Sequence, residues 1–173
     1  MTDANPLLWL RRLANRTLHL LARFSPTGVS TLRPWLHRLR GVNIGRGVLI
    51  GDDVYLENDH PHCIEIGDRV ELGTRSMILA HLRGSGRVVI EEDVFVGPGV
   101  KIIASAGELR IGAGSVLAAA TLVTSQVPER TFVRSSGSEV RHFAHVGVPL
   151  TQATTFEEFL AGLRSVKKNR HDG

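Results

Sequence analysis

The stretch "SMILAHLRGSG", residues 76 to 86, ends an apolar run on His81 and follows it with a small glycine-containing loop. An imidazole has an unperturbed pKa of about 6.5, so near neutral pH it can take up a proton and give it back. A histidine at the lip of such a loop is a candidate general base. Upstream, "LENDHPHC" gathers Glu57, Asn58, Asp59 and His60 beside Pro61 and His62. Acidic and amide groups suit the hydroxyls of a sugar, and a carboxylate beside an imidazole fixes its tautomer and raises its basicity. A plain polar loop has the same composition, so these residues gain meaning only from what positions them. Cys63 is the only cysteine, which excludes a disulfide within one chain and is consistent with a reducing compartment.

The positioning element is a repeat. From Val42 the chain divides into sixes: "VNIGRG", "VLIGDD", "VYLEND"; after "HPHC", "IEIGDR", "VELGTR", "SMILAH"; after "LRGSGR", "VVIEED", "VFVGPG", "VKIIAS"; after "AGE", "LRIGAG", "SVLAAA", "TLVTSQ". The third place holds Ile44, Ile50, Leu56, Ile66, Leu72, Ile78, Ile90, Val96, Ile102, Ile111, Leu117 and Val123, all aliphatic. The first place is Val, Ile, Leu, Ser or Thr throughout, and the fourth is often glycine. A hexad is too short for a helix and a turn. It suits a very short strand whose first and third side chains point the same way, followed by a bend that glycine makes most cheaply. Three hexads make one triangular coil, and four coils stack so that each aliphatic column buries itself.

All three insertions follow the third hexad of a coil, so all leave the same edge of the prism. Insertions on one face of a repeat protein often build its binding surface. In register with His81 are Asp59 one coil before, Ser105 one coil after and Gln126 two coils after. With coils about 4.8 Å apart, Asp59 or His60 is expected near His81.

This pattern resembles the hexapeptide-repeat acyltransferases of the O-acetyltransferase type, over roughly residues 33 to 141. The resemblance implies an all-β fold, a left-handed parallel β-helix that departs from the usual right-handed crossover. It implies that His81, in "ILAH", takes the proton of an acceptor hydroxyl or amine that attacks the thioester of acetyl-CoA, with no covalent acyl-enzyme and no metal. It places pantetheine contacts at Pro98, Ala119 and Thr124. The family's Thr-Lys pair becomes Thr124 and Ser125, so Arg130, Arg134 or Arg141 would carry the phosphate charge instead. The family's "GNPA" segment is replaced by "RSSGSEV". Glu57, Asn58, Asp59 and His60 fall on the acceptor side, with a sugar of a surface polysaccharide as the leading acceptor. A homotrimer with sites between subunits is also implied. Two other readings sit on the same fold. A zinc carbonic anhydrase needs two further histidines well after the first and close together, whereas none lies between His81 and His142. A non-catalytic scaffold would keep its function in His81→Gln.

The ends divide the chain into a helical capping segment (1–41), the repeat (42–127) and an extension (128–173). Residues 6 to 24 read as an amphipathic helix with Leu10, Leu13, Leu20, Leu21 and Phe24 on one side, arginines on the other and Trp9 at an interfacial position. It is expected to cap the open end of the prism; packing on a neighbouring subunit or on anionic lipid are the alternatives. Seven arginines and no acidic residue lie between Leu10 and Arg40, and such a run is expected to be a solvated face. The net charge of +4 suits anionic partners, while 5% aromatic residues are too few for a nucleic-acid stacking surface. No secretory signal is evident and the N-terminal stretch is too polar to span a bilayer, so a cytoplasmic protein is expected, with peripheral membrane contact through residues 6–24 as an option. "TTFEEFLAGLRSV" should start a short C-terminal helix on a Thr155–Glu158 capping box, and the tail "KKNRHDG" is expected to be disordered.

Overall fold

A computed structural model describes residues 6–25, 32–80, 85–136 and 139–165. The hexads form short parallel strands on three faces. The first face stacks β1 (Asn43–Ile44), β4 (Ile64–Ile66), β7 (Arg87–Ile90) and β10 (Glu108–Ile111). The second begins with β2 (Leu49–Ile50), β5 (Glu71–Leu72), β8 (Phe95–Val96) and β11 (Val116–Leu117). The third stacks β3 (Tyr55–Leu56), β6 (Met77–Leu79), β9 (Lys101–Ile103) and β12 (Leu122–Val123). Register follows the third place: Ile44 opposes Ile66, which opposes Ile90, which opposes Ile111. The first- and third-place residues of all four coils are at most 7% exposed and form one continuous core. Each fully buried aliphatic side chain contributes about 1.5–3 kcal/mol of transfer free energy, so the columns hold the stack together.

The bend falls elsewhere than expected. Positive φ occurs at the sixth place of the first and second hexads in every coil: Gly47, Asp53, Arg69, Arg75, Asp93, Gly99, Gly114 and Ala120, at 55 to 69°. The fourth-place glycines do not adopt it. A Cβ on Gly97 would stand 2.7 Å from the amide nitrogen of Ala119, and one on Gly51 would stand 2.7 Å from that of Thr74. Glycine is needed at the fourth place because consecutive coils meet backbone to backbone there, and not because the chain turns on it. Asp59, Ser105 and Gln126, sixth places of third hexads, lack the positive φ, and there the edge opens into the insertions.

The N-terminal segment caps the prism through its polar residues. In the stack, each third-place carbonyl accepts an N–H from the coil before: Ile66 from Gly45, Leu72 from Gly51, Ile78 from Glu57. The first coil has no predecessor, so its carbonyls would be left unpaired. Arginines from α2 (Leu32–Leu39) and the residue after it supply the donors. Arg38 Nε donates to Ile44 O (3.0 Å), Arg33 Nη1 to Ile50 O (2.8 Å), and Arg40 Nη2 to Leu56 O (3.0 Å) and Glu57 O (2.9 Å). Each face thus has one guanidinium on its first strand. Arg33 and Arg40 are 3% and 2% exposed, so the arginine run is not a solvated face throughout; Arg11, Arg12, Arg16, Arg23 and Arg38 are its exposed members. Arg33 also meets Asp52 at 3.1 Å, and Arg40 Nη1 donates to His37 Nδ1 at 2.7 Å. Burial, and then the charge of Arg40, pull the His37 pKa down to about 3, so this imidazole is neutral.

Helix α1 (Pro6–Phe24) lies on this cap in the opposite sense to a hydrophobic lid. Asn15 and Ala22 are buried, Asn15 Nδ2 donates to Asn58 O, and Arg23 pairs with Asp53 at 2.5 Å. Leu10, Leu13, Leu20, Leu21 and Phe24 remain 49–83% exposed. The first coil leaves its third-place carbonyls open at this end, so the donor-bearing sides of the helices meet them and the apolar sides turn away.

At the other end the stacking continues past residue 127. Val127 bridges Ile111, and β13 (Thr131–Ser136) pairs in parallel with β11. β14 (Glu139–Val146) and β15 (Leu163–Ser165) then widen the second face antiparallel. The short helix α3 (Phe156–Ala161) starts as expected: Thr155 accepts from Glu158 N at 3.1 Å, and the Glu158 carboxylate accepts from Thr154 N at 2.7 Å. Residues 166–173, which hold the tail expected to be disordered, lie outside the described residues.

Candidate functional site

The three insertions leave the edge between the third and first faces, and residues of the first and third line clefts at its two ends. At its N-terminal end the first insertion turns through a short 3-10 helix, Pro61–Cys63. Glu57 is held beneath it: one carboxylate oxygen accepts from Ala80 N at 2.8 Å and the other is 3.5 Å from His60 Nδ1. The first excursion is thereby fastened to the residue immediately before His81. Residues 81–84, His81 included, lie outside the described residues.

Asn58 is engaged inward. Its side-chain oxygen accepts from Arg40 Nη2 at 2.6 Å. Asp59 and His60 instead line a cleft of about 140 Å³, together with His62 and, from α1, Arg11, Arg12 and Asn15. Cys63 sits beside this group, and burial followed by the Glu57 charge pushes its thiol pKa up, so it is a poor nucleophile at neutral pH. Further along the same edge, Thr124 and Ser125 line a second cleft of about 240 Å³ with Ser105, Glu108, Leu109 and Gln126. The second insertion starts from the coil between those two sets of residues.

Pro98 and Ala119 are exposed on a different edge, between the second and third faces, where successive coils stack and Ala120 N donates to Pro98 O at 2.8 Å. Strand β12 separates Ala119 from Thr124, so a ligand lying across the third face would span both groups. Arg141 lies on β14 opposite Arg134, in the hairpin that extends the second face. Arg130 Nη1 donates to Gly147 O at 2.7 Å. His142 and His145, past the repeat, are exposed on β14. Arg11, Arg12 and Asn15 were not expected at the site; the acid-free arginine run was the one signal that pointed toward them.

No family model matches the chain. Over 132 residues it is 29% identical to "Putative acetyltransferase YvoF" of Bacillus subtilis, a match covering 72% of this chain and 73% of that protein. A 66-residue stretch, 37% of the chain, is 41% identical to the bifunctional protein GlmU of Exiguobacterium, of which it spans only 14%. The hexapeptide-repeat-containing acetyltransferase of Vibrio cholerae, solved in complex with acetyl coenzyme A, superposes with a TM-score of 0.61 at 23% identity, over 82% of this chain and 92% of that one. A galactoside acetyltransferase in complex with coenzyme A superposes with a TM-score of 0.51 at 17% identity, over 84% and 85%. The chain has the left-handed parallel β-helix fold of the hexapeptide-repeat acetyltransferases, as the resemblance implied.

Proposed function

We propose that the protein is an O-acetyltransferase that moves an acetyl group from acetyl-CoA to a hydroxyl of a small molecule, with a sugar as the leading acceptor and His81 as general base. The observation that carries this reading is that all three excursions leave the stack at the same edge. There the Thr124–Ser125 cleft and the Asp59–His60 cleft occupy two ends of one line, and Glu57 fastens the first excursion to Ala80. The fold supports it, since proteins of this fold have been solved with acetyl-CoA or CoA.

In the proposed reaction, His81 takes the proton of the acceptor hydroxyl as its oxygen attacks the thioester carbonyl carbon. The C–S bond breaks, and CoA leaves as a thiolate that takes up a proton. General-base help contributes about 100- to 10,000-fold, and holding two substrates along one edge adds the advantage of proximity. Asp59 and His60 face the acceptor, with Glu57 and Asn58 fixing the loop that presents them. Pro98, Ala119, Thr124 and Ser125 contact the pantetheine arm, and Arg141 meets the phosphates. The fuller form of the reading is a cytoplasmic homotrimer that acts on a polysaccharide sugar.

The test is calorimetric titration of CoA and acetyl-CoA into wild type and His81→Gln, followed by a free-thiol release assay with a panel of sugars. Micromolar binding by both proteins, with turnover lost only in His81→Gln, is the expected result. Absence of binding by either protein at millimolar ligand would overturn it and move the non-catalytic scaffold to the front.

A further inference from the structure

Helices α1 and α2 are mounted inside out. On α1, Trp9, Leu13, Leu20 and Phe24 recur at spacings of four, seven and four residues and form one stripe, with Leu10 and Leu21 beside it. All six are exposed, Trp9 by 63% and Phe24 by 83%. On α2, Leu32, Trp35 and Leu39 share the outward side and are each a little over half exposed, while Arg33, His37 and Arg40 face the coil. The two helices pack on each other, so both stripes belong to one end of the molecule. This apolar surface is far more than the scattered exposed residues an isolated soluble domain shows.

We propose that this face is a docking surface for an anionic phospholipid bilayer, on which the protein lies with the N-terminal end of the prism against the membrane. Charge decides the occupant. Arg11, Arg12 and Arg16 are exposed on α1, Arg23 pairs with Asp53 and Arg38 with the Ile44 carbonyl, and residues 10–40 contain no acidic side chain. A shallow depression of about 230 Å³ opens between Trp9, Leu13, Arg12 and Arg16, where an aromatic ring and two guanidinium groups meet at the level expected of a headgroup. A second copy docked on this face would set arginine against arginine, whereas an anionic surface complements it. Among the described residues no helix is long and apolar enough to cross a membrane, which fits a helix lying in the interface plane.

The chain contains two tryptophans, Trp9 and Trp35, and both are on this face, so intrinsic fluorescence reports on it alone. Full-length protein is mixed with vesicles of phosphatidylcholine, with or without phosphatidylglycerol, then sedimented and its emission recorded. The expected result is co-sedimentation and a blue shift with the anionic vesicles, weakened by salt. Leu20→Gln with Phe24→Gln removes two exposed apolar anchors without touching the core, and should lower partitioning about a hundredfold. Failure to bind either vesicle overturns the proposal. Equal, salt-insensitive binding to both vesicles overturns its anionic part. Tryptophans already shielded from a soluble quencher without lipid, in an oligomer that the double variant dissociates, would give the face to a second copy and overturn the proposal as well.

Discussion

Acidification should destabilise the N-terminal cap, and His37 is the reason. In the unfolded chain an imidazole has a pKa of about 6.5; in the fold, burial and then Arg40 hold that of His37 at about 3. The unfolded state therefore binds the proton first, and stability falls as pH drops below the unfolded value. At about pH 5 the unfolded imidazole is almost fully protonated and the folded one is not. The difference of about 1.5 pH units corresponds to about 2 kcal/mol, or about 4–8 °C in Tm for a chain of this size. His19, whose pKa burial and then Arg40 lower to about 4, acts in the same direction. Asp68, Glu91 and Asp93 are held below the usual carboxylate range by bonds to arginines, so they begin to titrate only at lower pH. The assay is Tm by differential scanning fluorimetry between about pH 7.5 and about pH 5, for wild type and for His37→Gln, whose amide can still accept from Arg40. Wild type should lose those degrees beyond what the variant loses. Parallel curves would refute the argument that a neutral, buried His37 is part of the cap.

Three further substitutions test the architecture. Arg40→Met leaves the Leu56 and Glu57 carbonyls and the Asn58 side-chain oxygen without their donor; urea unfolding should show a loss of about 3–5 kcal/mol, and a loss under about 1 kcal/mol would mean that water caps this corner equally well. Gly97→Ala and Gly99→Ala separate the two roles of glycine. The first puts a Cβ 2.7 Å from the backbone of the next coil, whereas the second meets Ala120 at 4.0 Å, an ordinary contact, and bears only its φ of +69°, a cost of about 1–2 kcal/mol. Thermal unfolding should find Gly97→Ala much the more damaging, and the reverse order would restore the turn explanation.

The coils were legible because their signal is local. A strand of two or three residues needs only its own first and third places to be apolar, and every coil repeats the instruction. The capping box of α3 was legible for the same reason. The role of the fourth-place glycine was not, because what forbids a side chain there is the backbone of a coil roughly twenty residues away. The orientation of α1 was hidden too. Amphipathicity says that a helix has two sides; which side docks depends on the chemistry of the surface that receives it, and here that surface is a ring of carbonyls. At the candidate site, the register of the insertions puts Asp59 and His60 on the edge that Thr124 and Ser125 also line. Arg11, Arg12 and Asn15 reach the same cleft only through the packing of α1, which no local pattern encodes.

The arginine cap addresses main-chain oxygens at the third places of one coil, and every coil of the prism presents the same oxygens in the same positions. The main-chain part of the cap would fit any coil, while Asp52, Asp53 and Asn58 tie the rest of it to the first. Coils can be duplicated or deleted within the stack during evolution without remaking the end of the molecule, and each such event would move the two clefts nearer or further apart by one coil height. Divergence in the size of molecule that bridges them can proceed by changing the number of repeats alone, while the surface at the N-terminal end stays as it is.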